Sequence, residues 1–302
     1  MNAPQEQWTV RRLLGWTGEY FARASLDESR LAAEVLLGHV LGCERVQLYA
    51  RFDQAVGDEQ RAAYRQLVRR AADGEPVAYL TGEKEFYSLP IAVTPDVMVP
   101  RPETELLVDV ALAAAREAGG PSRLWDVCTG SGCVAVAAAR YAEQLAVLAT
   151  DVSPPAVEVA RTNVRRHALE GRVLVARADL LALPDDAREM APFDVIAANP
   201  PYVTDAQMAD LPPQVRREPQ LAVRAGPTGL EFIAPIVRDA PRHLRAGGTL
   251  AVEVGAGQAG GVYAILDRAG CYENIRFLAD AAGIERTAVA TVIADRPARA
   301  SD

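Results

Sequence analysis

From Arg123 onward, short and nearly continuous apolar runs alternate with stretches of helical periodicity, and few architectures accommodate that pattern. The runs cover 124–127, 145–150, 173–176, 194–198 and 249–254; helical stretches fill 133–141, 155–167, 230–244 and 258–269. A strand that is apolar along its whole length must be covered on both faces. Strands that alternate with helices pair in parallel, with the helices supplying the two covers. The pattern predicts an α/β domain. In such a sheet, ligands bind beyond the carboxyl ends of the strands.

The first run ends in such a place. Leu124-Trp125-Asp126-Val127 leads into Cys128-Thr129-Gly130-Ser131-Gly132, and a helical stretch follows at once. Gly130 and Gly132 permit backbone angles and close approaches that a side chain blocks. Asp151 stands nineteen residues after Gly132, at the end of the second run. An acid there can accept hydrogen bonds from both ribose hydroxyls. The turn lacks the three-glycine dinucleotide fingerprint, and no Lys-Ser/Thr follows as in a phosphate loop. It therefore suits a nucleoside-type ligand without a pyrophosphate, such as S-adenosyl-L-methionine (AdoMet). Asp179, with Leu180 after it, closes the third run and can reach the adenine amino group.

The fourth run ends in Asn199-Pro200-Pro201-Tyr202. Two prolines stiffen this loop by fixing φ. A planar amide or amino nitrogen is a poor nucleophile because its lone pair is delocalised. A site assists by accepting its two N–H hydrogens and so aiming the lone pair. The Asn199 side-chain oxygen can accept one hydrogen and the Pro200 carbonyl the other, while Tyr202 can pack its ring on the flat group. A sulfonium methyl is already activated, so alignment supplies most of the acceleration. Asn199, Pro200 and Tyr202 are thus the catalytic candidates.

The first 80 residues read as helical. Ser25 and Glu28 form a capping-box pattern ahead of a stripe at Leu26, Leu31, Val35, Leu36, Val40 and Leu41; a further helix is expected over 58–72. Aromatic and branched residues around Pro90 predict a β-hairpin, and Pro102 with acids after it marks the start of a helix over about 102–115. The net charge of −8 disfavours a nucleic-acid substrate, whose phosphates need a basic footprint. The five-residue spacing of Cys128 and Cys133 is not a zinc pattern, and three scattered histidines suggest no metal. No charge-free apolar stretch is long enough to span a bilayer, and no signal-peptide core stands near the start. The expectation is a soluble cytoplasmic protein with free thiols.

Together these residues resemble the class I AdoMet-dependent methyltransferases that act on planar nitrogens. Glu85-Phe86-Tyr87-Ser88-Leu89-Pro90, Val99-Pro100-Arg101-Pro102-Glu103-Thr104-Glu105, Asn199-Pro200-Pro201-Tyr202, Glu218-Pro219-Gln220-Leu221-Ala222 and Gly226-Pro227-Thr228-Gly229-Leu230 resemble, more specifically, the peptide chain release factor glutamine N5-methyltransferases. The likeness runs from about residue 10 to 295. It implies a Rossmann-like fold with a mostly parallel seven-stranded sheet and a small N-terminal helical bundle joined by the hairpin. The corresponding divisions are a partner-docking helical domain at 1–82, a hairpin linker at 83–100 and a methyltransferase domain at 101–302. It also implies methylation of the glutamine side-chain nitrogen in the Gly-Gly-Gln loop of class I release factors, with S-adenosyl-L-homocysteine as product. Asn199 to Tyr202 would hold the glutamine, and Cys128, Thr129, Gly130, Ser131, Gly132, Asp151 and Asn199 would surround the cofactor. No nucleic-acid substrate, membrane or metal is implied. Two departures concern the cofactor side: Cys128 stands where the family often has glycine, and Leu180 where it sometimes has an aromatic residue. The turn 128–133 also resembles the sister family that methylates a glutamine of a large-subunit ribosomal protein. The Arg-Pro-Glu-Thr-Glu segment and Gly283-Ile284-Glu285-Arg286 favour the release-factor branch. An adenine-N6 nucleic-acid methyltransferase and a non-catalytic AdoMet-binding protein are the rival classes; charge counts against the first and the intact Asn199–Tyr202 loop against the second.

Overall fold

The computed structural model describes residues 7–24 and 26–294. Its chain divides into a helical unit, up to Gly82 and including Pro212–Arg217, and an α/β unit formed by the rest.

The helical unit contains α1 (Val10–Arg23), α2 (Ser29–Leu41), α3 (Arg45–Ala50), α4 (Asp58–Ala72) and α5 (Val77–Thr81). Thr9 caps α1 by accepting from the Arg12 N–H, and Val10, Leu13, Thr17 and Phe21 fall on one buried stripe. The bounds expected for α4 match those observed. The start of α2 differs. Ser25 lies outside the described residues, and Glu28 caps α2 from a left-handed conformation without a side-chain bond. The buried face of α2 is carried by Ala32, Ala33, Leu36 and Leu37, so Leu31 and Val35 flank it instead of centring it. Glu34 is buried on the same helix and is satisfied by Arg30, Arg45 and the Tyr49 hydroxyl. In Pro212–Arg217, Arg217 donates to the Asp73 carbonyl at 3.1 Å.

The α/β unit opens with the hairpin β1 (Glu83–Phe86) and β2 (Leu89–Ala92), then α6 (Glu105–Ala118) after a short 3-10 turn at Pro102–Thr104. Strands β3 (Ser122–Val127), β4 (Leu145–Asp151), β5 (Val173–Arg177) and β6 (Phe193–Ala198) follow the apolar runs, with α7 (Cys133–Tyr141) and α8 (Pro154–Arg166) between them. The short strands β7 (Val203–Thr204) and β8 (Arg224–Gly226), which pair with each other, and α9 (Gln220–Val223) lie in the loop region after β6. The rest is α10 (Ile233–Asp239), β9 (Leu244–Glu253), α11 (Ala259–Ala269), β10 (Tyr272–Ala279) and β11 (Glu285–Val292).

The main sheet has seven strands in the order β10-β11-β9-β6-β3-β4-β5. Pairing is parallel from β5 to β9 and antiparallel at β11 and β10. The chain runs outward from β3 to β5 and returns on the other side of β3 at β6. That reversal opens a crevice above the carboxyl ends of β3 and β6.

Two boundaries differ from the sequence expectation. The helix expected over 230–244 ends at Asp239, because Pro241 has no N–H to give to the Val237 carbonyl. The Tyr272 hydroxyl donates to that carbonyl at 2.7 Å, and β9 begins early, at Leu244. Strands β10 and β11 complete the seven-stranded sheet that the resemblance implies, but no apolar run in the sequence pattern marks them. β10 is an edge strand bearing Glu273 and Arg276, with Asn274 at φ +54 in its irregular stretch, so it lacks an apolar signature. No helix among the described residues is long and apolar enough to cross a membrane.

Candidate active site

A cleft of about 980 Å3, counting the part open to solvent, lies at the carboxyl ends of the central strands. Cys128, Thr129, Gly130, Ser131, Asp151, Asp179, Leu180, Asn199 and Pro201 line it. Gly132, Pro200 and Tyr202 do not. Gly132 is the N-cap of α7 at φ +78. A Cβ there would meet the Ala160 Cβ at 3.1 Å, so this glycine lets α7 and α8 approach closely.

The turn after β3 is held from below and from the side. Asp126, buried in β3, accepts from the Thr129 hydroxyl at 2.5 Å and from the Ala135 N–H at 3.1 Å. Burial pushes its carboxyl up to about 7. Buried Asn163 on α8 donates to the Ser131 carbonyl at 2.8 Å and to the Ala92 carbonyl at 2.9 Å, tying the turn to the hairpin. Cys128 adopts φ +58 and Leu180 φ +45. Both are left-handed conformations in which a side chain is strained. That accounts for glycine at the Cys128 position in the resembled family: the backbone there asks for it, and cysteine tolerates it.

Asp151 ends β4 with both oxygens engaged. Oδ2 accepts from the Gly130 N–H and Oδ1 from the Ser153 N–H, each at 2.9 Å. Burial raises its carboxyl above the ordinary range, and the backbone N–H groups work against that rise. Each oxygen retains a further lone-pair direction for a hydroxyl. Asp179 is exposed at the rim.

On the other wall, Asn199 follows β6 directly, and its Nδ2 donates to the Thr104 hydroxyl oxygen at 3.2 Å. With its nitrogen occupied, the amide keeps Oδ1 as an acceptor. The Tyr202 hydroxyl donates to Glu253 Oε1 at 3.5 Å, and burial raises the phenol well above its ordinary range. Gln258 holds the loop from behind: Nε2 donates to the Tyr202 carbonyl at 2.9 Å, and Oε1 accepts from the Gly255 N–H at 2.8 Å. Glu218 is buried against Arg101 at 2.5 Å, and burial lifts it to about 7. That ion pair anchors the segment whose Pro219, Leu221 and Ala222 reach the cleft.

Sequence reasoning gave no role to Thr104, Asn163 or Gln258 and left that of Glu253 open. Only Glu253 carried a visible signal, an acid at the end of a run of apolar residues. Among the described residues no group of three or more His, Cys, Asp or Glu is placed to hold a metal.

Residues 12–82 match the family described as the PrmC N-terminal domain, and residues 103–212 match the Methyltransferase small domain. A release factor glutamine methyltransferase of Rhodopirellula baltica is 42% identical over 283 residues, covering 92% of this chain and 95% of that protein. One of Geobacter sulfurreducens is 40% identical over 271 residues, covering 89% and 92%. Among solved structures, the hMettl16 catalytic domain in complex with MAT2A 3'UTR hairpin 6 superposes with a TM-score of 0.58. It is 16% identical, with 74% of this chain and 85% of that one covered, a likeness of fold.

Proposed function

The chain belongs to the release factor glutamine methyltransferases, and from that membership we propose that it methylates the side-chain nitrogen of the glutamine in the Gly-Gly-Gln loop of class I release factors, with AdoMet as donor. One observation carries the assignment of the site. Asn199 stands on the cleft wall with its Nδ2 committed to Thr104, so its Oδ1 is the atom left to accept an N–H from a substrate amide.

The residues present fit AdoMet. The glycine turn offers no phosphate cradle, and Asp151 lies beside it with an oxygen on each of two backbone donors. Such a carboxylate suits a ribose diol. When bound, AdoMet supplies an electrophilic methyl group on a sulfonium. The chain's own part is to align the acceptor. Asn199 Oδ1 and the Pro200 carbonyl accept the two N–H hydrogens of the glutamine amide, which turns its nitrogen lone pair toward the cofactor side. Pro200 and Pro201 keep that pair of acceptors rigid, so little order remains to be imposed at the moment of reaction. Tyr202, held at both ends by Glu253 and Gln258, braces the loop.

The helical unit is assigned to docking of the release factor. Trp16 and Tyr49 stay exposed there, with Trp16 stacked on Tyr20 and Arg30 set over the Tyr49 ring. Exposed aromatic and arginine side chains of this kind favour protein contact.

The test is intact mass and fragmentation of a purified release factor after incubation with enzyme and AdoMet. One methyl increment on the Gly-Gly-Gln glutamine is expected. Label found in DNA, or in a ribosomal protein and not in release factor, overturns the assignment.

A further inference from the structure

Glu253 is the last residue of β9 and is completely buried. A carboxylate there stabilises nothing by default, since a buried charge without a full set of partners is costly. Its Oε2 has no partner among the described residues. The Tyr202 hydroxyl donates to its Oε1 at 3.5 Å, and the nearby Thr104 hydroxyl favours its ionised form. Thr104 in turn accepts from Asn199 Nδ2. An acid, a hydroxyl and an amide thus form a line that ends on the cleft wall.

The direction of that line follows from counting hydrogens. An ionised carboxylate only accepts, and a threonine hydroxyl has one hydrogen. With that hydrogen given to Glu253, Thr104 can offer Asn199 only lone pairs. The amide must then turn its NH2 inward and its oxygen outward. A protonated Glu253 can donate instead, which frees the Thr104 hydrogen to point at the amide and stabilises the flipped arrangement, with NH2 facing the cleft. A substrate amide would then meet a donor where it needs an acceptor.

We propose that Glu253 is a positioning residue that acts through Thr104 to fix the amide orientation of Asn199, and through Tyr202 to steady the same loop. The inference rests on the reading that Asn199 accepts from the substrate glutamine. It explains why an incompletely satisfied acid is kept at the buried end of a strand: the acid sets polarity in a network whose members are each ambiguous alone.

The surroundings bring the switch near neutrality. Burial is the largest influence on Glu253; Thr104, Arg286 and Tyr202 favour its ionised form and Glu103 opposes it, so its carboxyl is pushed up to about 7. Its charge is also felt by the buried Cys133 thiol. Arg286 is itself paired with Asp280 at 2.8 Å, and Arg101 and Arg286 both act on Tyr202.

The experiment uses the full-length enzyme and a purified release factor, with turnover followed across pH at saturating AdoMet. Thr104→Val preserves shape and removes the hydroxyl. It is expected to lower kcat by about 10- to 100-fold, the range for leaving a buried polar group wrongly paired, with the Kd for AdoMet within about threefold of wild type. Thr104→Ser restores the hydroxyl and is expected to recover most of that loss. Wild-type kcat should fall as pH drops through about 7, where Glu253 protonates, and this limb should vanish in Thr104→Val and in Glu253→Gln. Wild-type turnover in Thr104→Val, equal damage in Thr104→Ser, or an unchanged acid limb in Glu253→Gln each overturns the inference. Should the wild-type enzyme methylate no release factor at any pH, the underlying reading of the site fails, a separate outcome from active wild type with unaffected variants.

Discussion

Replacing Asp151 by asparagine is expected to damage AdoMet binding nearly as much as removing its side chain. The substitution is almost isosteric, so charge alone would predict a mild effect. The geometry predicts a severe one. Oδ2 accepts from the Gly130 N–H and Oδ1 from the Ser153 N–H, both at 2.9 Å. An amide has one oxygen and one NH2, so in either orientation it sets a donor against a backbone donor. One charge-assisted hydrogen bond is lost, worth about 1.5–3 kcal/mol. If the loss falls at Gly130, the turn that shapes the cleft is released as well. At about 1.4 kcal/mol per decade, the Kd for AdoMet should rise about 10- to 150-fold. Asp151→Ala loses both backbone acceptors and the ribose acceptor, and should be at least as weak. Titration calorimetry with AdoMet measures both variants, and circular dichroism of each checks that the fold is retained. If Asp151→Asn binds within about threefold of wild type while Asp151→Ala does not, an amide serves as well as a carboxylate, and the two-acceptor argument is refuted.

Asn199→Ala should leave AdoMet affinity within about threefold and lower kcat by about 10²- to 10³-fold, the usual loss for one preorganised polar group; unchanged turnover contradicts the role given to Oδ1. Gly229→Ala puts a Cβ 2.6 Å from the Tyr202 carbonyl oxygen at φ +79. Overpacking and the left-handed backbone together should cost about 2–4 kcal/mol, and a wild-type urea midpoint would rule that out. Asp126, Glu218 and Glu253 are each raised to about 7 in the folded chain. Their stabilising contribution is fully present below the ordinary carboxylate range and is lost as pH rises through about 7. Unfolding free energy should therefore be about 2 kcal/mol greater at pH 6.5 than at pH 8.5, with His243, lowered by burial, offsetting a fraction. Greater stability at pH 8.5 in urea denaturation would reverse the sign and sink the argument.

The five central strands were legible because each carries a short, mostly apolar run bounded by a turn or a helix, a signal that survives without any alignment. The crevice was legible for the same reason: Cys128–Ser131, Asp151 and Asn199 each sit immediately after such a run. Other parts were written in no local pattern. β10 is an exposed edge with charges along it, and β11 has alternatives until β9 is in place beside it. Thr104 reads as part of a helix start, and nothing near it in sequence announces that Asn199, far along the chain, will lean on its hydroxyl. The partners that hold Tyr202, Glu253 and Gln258, come only with β9 and the turn after it, far along the chain. The αL demand at Cys128 showed only as a departure from the resembled family, since cysteine occupies the place where glycine would have revealed it.

The order of strands also bears on synthesis. β3, at the middle of the sheet, leaves the ribosome well before β9, yet β9 supplies the residue beneath the Asn199 loop and the neighbour that β6 needs on its open side. A nascent chain that has reached only residue 243 carries the complete glycine turn and Asp151 beside a bare strand edge and an unsupported acceptor loop. This is the stage at which the exposed edge of β6 is most prone to pair with a foreign strand.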